Sequence, residues 1–217
     1  MKILLISSSP RKKRSQTFSL AKEVVNGFGS SAKTEVIHLC DNKIEFCRHC
    51  EICHKKIMTC PIKDDVHSIL KKMLSADGII LATPNYINQI TASMKALLER
   101  ASHFIHCKRL LGKYIVGVVS SGSGYDKDVL NYIRNYAHTC GAQYSGGISS
   151  RATDLNKKRG NARQLGKKFF KDIKDKKEYP DQIKIIEENK AHFRKIIQLR
   201  KAEWREEYKY WQEKNWL

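Results

Sequence analysis

MKILLISSSPRKKRSQTFSLAKEVVN, residues 1–26, decides the fold. Lys2 to Ile6 is a short apolar run with β-branched residues, ended by serines and Pro10, as expected of a parallel strand buried on both faces. From Ser15 the apolar positions Phe18, Ala21, Val24, Val25 and Phe28 recur at helical spacing, and Gly27 and Gly29 read as stop signals. The intervening loop thus joins the carboxyl end of a strand to a helix N-terminus, where unpaired N–H groups and the helix dipole favour an anion. It contains no glycine, which argues against a dinucleotide fingerprint and against a P-loop. Instead it offers the hydroxyls of Ser7, Ser8, Ser9, Ser15 and Thr17, the Gln16 amide and the Arg11 guanidinium. That donor set suits one terminal phosphate, as in a mononucleotide. In the plainer alternative, Ser15 only caps the helix and Lys12, Lys13 and Arg14 form a solvated turn.

The same alternation continues along the chain. Thr34 to Leu39, Asp77 to Thr83, Tyr114 to Ser120 and Gln143 to Ser150 read as strands. Helical stripes lie between them at Val66–Met73, Met94–Ile105 and Val129–Cys140. Strands alternating with helices predict an α/β fold, a five-stranded parallel sheet covered on both faces. Right-handed crossovers make 2-1-3-4-5 the expected order. That order gathers the loops after strands one, three and four at one edge. The third-strand loop is Thr83-Pro84-Asn85-Tyr86-Ile87-Asn88 and the fourth is Ser121-Gly122-Ser123-Gly124-Tyr125. Pro84 fixes a turn, Tyr86 offers a flat surface, and Gly122 and Gly124 allow close backbone approach, so the loops suit a planar heteroaromatic ring.

Between the second strand and the next helix lies an insertion at residues 40–64, with Cys47, Cys50, Cys53 and Cys60 separated by 2, 2 and 6 residues. Four thiolates so close in sequence can wrap one iron-sulfur cubane. A mixed zinc site using Cys53 with His49 or His54 is an alternative, and so is a loop of reduced cysteines packed beneath a neighbouring subunit. Cys40, Cys107 and Cys140 lack ligand spacing and read as small buried residues.

The phosphate-type loop, the TPNY loop followed by the helix MKALLER, and the cysteine segment together resemble the NADPH-dependent FMN reductase family of flavodoxin-like proteins, and within it the iron-sulfur flavoproteins. The resemblance covers about residues 1–150. It implies a flavodoxin-like three-layer sandwich that binds FMN, with Ser9, Arg11, Ser15, Gln16 and Thr17 at the phosphate and Pro84, Asn85, Tyr86 and Ile87 beside the isoalloxazine. Ser121, Gly122 and Gly124 complete the expected cofactor set. For the four cysteines it implies a [4Fe-4S] cluster in some members and no established cluster in others. The loop is one residue longer between Arg11 and Ser15 than the family pattern.

After Ser150 the composition turns basic and helical. Residues 1–178 are expected to form the FMN-binding domain and 179–217 a C-terminal helical extension. Ile183, Ile186, Phe193, Ile197, Trp204, Tyr208 and Trp211 share one face, which predicts a single helix of about 45 Å lying across its own domain and a partner subunit of a homodimer or homotetramer. The net charge of +19 draws polyanions, but the usual explanation is solvation. No segment approaches the roughly 20 apolar residues of a membrane span and the opening run is too short for a signal peptide, so the expected location is cytoplasmic.

Three functions fit these readings. The first is an FMN-dependent oxidoreductase taking electrons from NAD(P)H or a ferredoxin-like donor, with the flavin carrying the chemistry and no residue assigned as catalytic. The second is a non-enzymatic electron carrier like flavodoxin. The third is a basic nucleic-acid-binding adaptor, for which no recognised binding motif is present.

Overall fold

Strands β1 (Lys2–Ser7), β2 (Lys33–His38), β3 (Gly78–Pro84), β4 (Tyr114–Ser121) and β5 (Gln143–Arg151) form one sheet in the order β2-β1-β3-β4-β5. Every pairing is parallel. The structure is a computed structural model and describes residues 1–122 and 124–217. Ser123, part of the fourth-strand loop in the sequence reading, lies outside the described residues.

β3 and β4 are buried along their whole length, which is why they read as unbroken apolar runs. Their side chains alternate between two cores. Leu4, Ile6, Ile79, Leu81, Ile115 and Val119 face one layer of helices, and Ile3, Leu5, Ile80, Ala82, Val116 and Val118 face the other.

The second layer is built by α1 (Gln16–Asn26), which contributes Phe18, Leu20, Ala21 and Val24, and by a later helix, residues 155–174. The first layer comes from segments after the cysteine run. A short turn of helix, α2 (Ile52–Lys55), lies within that run. Then follow α3 (Val66–Ser75), α4 (Ala92–Glu99), α5 (Ser102–His106) and α6 (Asp126–Thr139), whose Ile69, Met73, Leu97, Phe104 and Ile133 fill the core. The helix of the opposite layer, α7 (Leu155–Lys174), crosses α1 very closely. A Cβ on Gly166 would lie 1.9 Å from the Val24 carbonyl oxygen, and one on Gly27 would lie 2.2 Å from that of Arg163. Gly27, expected to stop α1, has an ordinary right-handed φ of −62° and serves this crossing, while Gly29 takes the positive φ of +54°. Glu23, just before the crossing, binds Arg159 and Arg163 at 3.0 and 2.7 Å.

The tail departs from the single long helix expected. It forms α8 (Pro180–Leu199) and α9 (Arg205–Glu213), with a reversal at residues 200–204. The break lets Trp204 and Trp211 turn inward onto Cys107 and Ile197, forming a third core, so the apolar stripe is covered by the chain's own domain. The start of α8 also finishes the sheet. Gln182 accepts from the Tyr144 N–H at 2.7 Å and donates to the Tyr144 carbonyl at 3.1 Å, satisfying the open edge of β5. No helix among the described residues is long and apolar enough to cross a membrane.

The close crossing predicts opposite effects from the same substitution on α7. Gly166→Ala should destabilise by about 1–3 kcal/mol through overpacking. Gly160→Ala, whose Cβ would meet nothing within 4 Å, should be neutral or stabilise by up to about 1 kcal/mol. Urea unfolding of both variants checks this; equal effects would contradict the packing.

Candidate functional site: a loop cleft and a cysteine cavity

The ends of β1, β3 and β4 open onto a cleft of about 260 Å³. Its walls include Ser9, Arg11, Ser15, Gln16, Thr17, Pro84, Asn85, Tyr86, Ser121 and Gly122, all assigned from sequence, together with Ser120 and Ala152, which were not. Ser120 was missed because it reads as strand interior. Its Oγ meets Thr17 Oγ1 at 2.5 Å and its carbonyl accepts from Asn85 N at 2.7 Å, so it joins the two loops that flank it.

The longer loop after β1 is absorbed by a turn of 3-10 helix at Lys12–Arg14, entered through a left-handed Lys12 (φ +48°). Ser15 is buried and caps α1, its Oγ accepting from Phe18 N at 3.3 Å. The cap leaves the Gln16 and Thr17 amides without an intrahelical acceptor. Lys13 and Arg14 are exposed and do not line the cleft, while Lys12 pairs with Asp41. Both readings of Ser15 therefore apply: it caps the helix and borders the cleft.

Across the cleft, Asn85 donates through Nδ2 to the Gly124 carbonyl at 2.6 Å, which leaves its buried Oδ1 without a partner among the described residues. Gly124 needs its positive φ of +97°, and Gly122 has open space where a Cβ would be. Tyr86 and Gln89 exchange backbone hydrogen bonds at 3.0 and 3.1 Å around Ile87 and Asn88, both left-handed at +51° and +61°. For a β-branched residue this conformation costs on the order of 1–2 kcal/mol. The turn leaves Ile87 97 % exposed and Tyr86 half exposed at the cleft mouth. Ile87 and Gly124 do not themselves line the cleft.

A second cavity, of about 550 Å³, is lined by Cys47, Cys50, Cys53 and Cys60 together. Arg100 forms its floor. The guanidinium lies 3.3 Å from Cys60 Sγ and pairs with the Asp64 carboxylate at 2.7 and 3.1 Å. Cys53 Sγ sits 3.6 Å from Ser102 Oγ, and His49 N donates to Cys47 Sγ at 3.4 Å. Burial raises the Cys53 thiol, but hydrogen bonding and charge from His54 outweigh it and leave it below the ordinary value. The surroundings of Cys53 therefore favour its thiolate. Among the described residues no three cysteine sulfurs gather within 4.8 Å. Four thiolates at about 2.3 Å from one zinc ion would stand closer than that.

Cys107 and Cys140 are buried as expected, whereas Cys40 is exposed. Residue 40 lies where the chain leaves β2 for the insertion, and its thiol reaches the Ser9 carbonyl at 3.8 Å. Together with the Lys12–Asp41 pair, that contact ties the start of the cysteine segment to the loop after β1.

A family model described as NADPH-dependent FMN reductase matches residues 1–154. The chain is similar to an iron-sulfur flavoprotein of Methanocaldococcus jannaschii, 37% identical over 139 residues, 63% of this chain and 71% of that protein. It is also similar to an iron-sulfur flavoprotein of Archaeoglobus fulgidus, 27% identical over the full length of both chains. Among solved structures it resembles an NAD(P)H:quinone oxidoreductase from Methanothermobacter marburgensis (TM-score 0.58, 14% identity, 77% of this chain and 94% of that one). A flavodoxin from the domain Archaea gives a TM-score of 0.52 at 18% identity, covering 80% and 99%. These likenesses show a flavodoxin-like fold.

The buried Arg100–Asp64 pair generates a prediction. Burial raises the Asp64 carboxyl, but the Arg100 hydrogen bonds, the Glu45 amide and the Arg100 charge outweigh it and hold it below the ordinary 3.8. A depressed carboxyl contributes stability that is fully present above its unfolded value and lost as pH falls through its lower folded value. Asp64→Asn should cost about 3–5 kcal/mol near neutral pH, because it leaves Arg100 buried and uncompensated. It should also flatten the acid limb of the stability profile below about pH 4. Chemical denaturation across pH checks both, and an unchanged acid limb would contradict the assignment.

Proposed function

Because this chain belongs to the NADPH-dependent FMN reductase family, we propose that it is an FMN-dependent oxidoreductase. It passes electrons from NAD(P)H or a small redox protein to an acceptor by way of a [4Fe-4S] cluster. The observation that carries the reading is the cleft at the carboxyl edge of the sheet, where Arg11, four side-chain donors and two unpaired helix amides from a loop without glycine converge.

The residues fit FMN in two parts. Ser9, Arg11, Ser15, Gln16 and Thr17 form a basic, donor-rich end of the cleft suited to a terminal phosphate. Pro84, Asn85, Tyr86, Ser121 and Gly122 form the other end, with the unpartnered Asn85 Oδ1 as an acceptor for a ring N–H. Ile87 and Gly124 act from outside the lining, Ile87 from the exposed turn beside Tyr86 and Gly124 by holding Asn85 in place. The flavin, when bound, supplies the electron-transfer chemistry, so the protein's part is to bind, orient and exclude water.

The cysteine set fits a cluster because all four thiols, separated by 2, 2 and 6 residues, line one cavity. Cys47, Cys50, Cys53 and Cys60 would hold it, while Arg100 and Ser102 donate to the sulfurs and so tune it. The Cys40–Ser9 and Lys12–Asp41 contacts support electron passage between the two centres, because they join their supporting segments. The extensive basic surface suits an acidic donor protein. A homo-oligomer remains part of the proposal, with the exposed Tyr86–Ile87 turn available to a second subunit.

Two results test this reading. Protein carrying Arg11→Ala and Thr17→Ala should bind FMN at least about tenfold more weakly, since each change removes a donor to a charged group. Unchanged affinity in a fluorescence titration would contradict the phosphate assignment. Cys50→Ser should lose iron while keeping FMN. Anaerobic wild-type protein that oxidises NAD(P)H through FMN without iron would remove the cluster and leave a plain flavin reductase.

A further inference from the structure

Glu207 of α9 is completely buried, and its only charged or ionisable partners among the described residues are two histidines. One carboxylate oxygen lies 2.7 Å from His54 Nδ1 and the other 3.0 Å from His106 Nδ1. Burying a carboxylate costs several kcal/mol unless its partners are well placed, and an apolar residue would pack α9 more cheaply. The three ligating atoms lie within 4.8 Å of one another, a spacing compatible with a metal ion. The ring geometry argues otherwise. The two imidazoles stack at 4.6 Å with planes only 14° apart, so each Nδ1 lone pair lies in its own plane and the two offset planes do not meet at one ion. Stacked donors suit the two oxygens of one carboxylate.

The clamp closes on the cysteine segment from behind. Trp204 lies 4.7 Å from both imidazoles and also lines the cavity that the four cysteines share. Its indole N–H donates to Glu51 at 3.2 Å, Arg200 donates to the same carboxylate at 2.7 Å, and Glu206 accepts from the Ile57 amide. Glu51 and His54 bracket Cys53. His49, Glu51 and Met58 are also held left-handed at φ +49°, +57° and +60°. Non-glycine residues persist there only where the surroundings over-determine them. Of the three, Glu51 is held by the tail, through Arg200 and Trp204.

We propose that the C-terminal extension is a working wall of the cysteine site, with Glu207 a positioning residue that, through His54, fixes where Cys53 presents its sulfur. This rests on the cluster reading for its consequence, but the positioning itself can be read without iron.

The experiment compares full-length wild type with Glu207→Gln and with Glu213→Gln, an exposed control on the same helix. In anaerobic, iron-free, FMN-loaded protein, each cysteine's maleimide labelling rate is followed by mass spectrometry. Glu207→Gln gives one imidazole an amide donor in place of an acceptor, so the Cys53 labelling rate should change at least about tenfold, with Cys40 and the control unchanged. In iron-reconstituted protein the same variant should shift the electron paramagnetic resonance line shape of the reduced cluster and release iron faster. Wild-type labelling together with a wild-type spectrum would overturn the proposal. Should Glu207→Gln lose FMN through misfolding, Arg200→Met at the half-buried rim decides instead: a changed Cys53 labelling rate supports the wall and an unchanged rate overturns it. If the wild type takes up no iron, the cluster reading fails, and the labelling ratio still decides the positioning.

Discussion

The hydrogen bond between Thr17 Oγ1 and Ser120 Oγ, at 2.5 Å, spans the gap over β3 and fixes the first turn of α1 against the end of β4. Neither hydroxyl is exposed, so the bond is formed away from competing water. It exists because a parallel sheet in the order 2-1-3-4-5 brings the loops after β1, β3 and β4 to one edge. With that bond in place, the unpaired amides of α1 face a cleft and not open solvent. The Asn85 N–H to Ser120 carbonyl bond then brings the third loop to the same point.

The fold was legible because each strand declared its environment. β3 and β4 are continuous apolar runs since both faces are covered, and Ile3, Leu4, Leu5 and Ile6 divide alternately between the two cores. The loop after β1 was legible through composition: hydroxyls and an arginine where glycines would stand in a dinucleotide site. Ser120 was not, because a strand-end serine looks like any other until the loop that meets it is known. Gly27 ends α1 as read, but its second role is set by Gly166, some 140 residues away in sequence, and a close helix crossing leaves no local signature.

The tail shows the limit of periodicity. A stripe from Ile183 to Trp211 at helical spacing correctly marks a buried face, but it does not reveal a reversal at residues 200–204, where neither glycine nor proline stands. The turn is set by what lies opposite: Glu51, His54 and His106, drawn from two other segments. The same contacts hold Glu51, one of the left-handed residues of the cysteine run. The cysteine spacing was readable in the sequence, whereas the packing of the tail behind it required the fold.

The account's central claim is that the loop after β1 grips the terminal phosphate of FMN. Phosphorus-31 NMR of the FMN-bound protein tests it most directly. A phosphate held by Arg11 and the first amides of α1 stays dianionic, so its resonance should not move between about pH 5 and 8, on either side of the free group's second pKa near 6. It should also resist broadening by added manganese. A resonance that titrates like free FMN and broadens readily would place the phosphate in solvent and contradict the account.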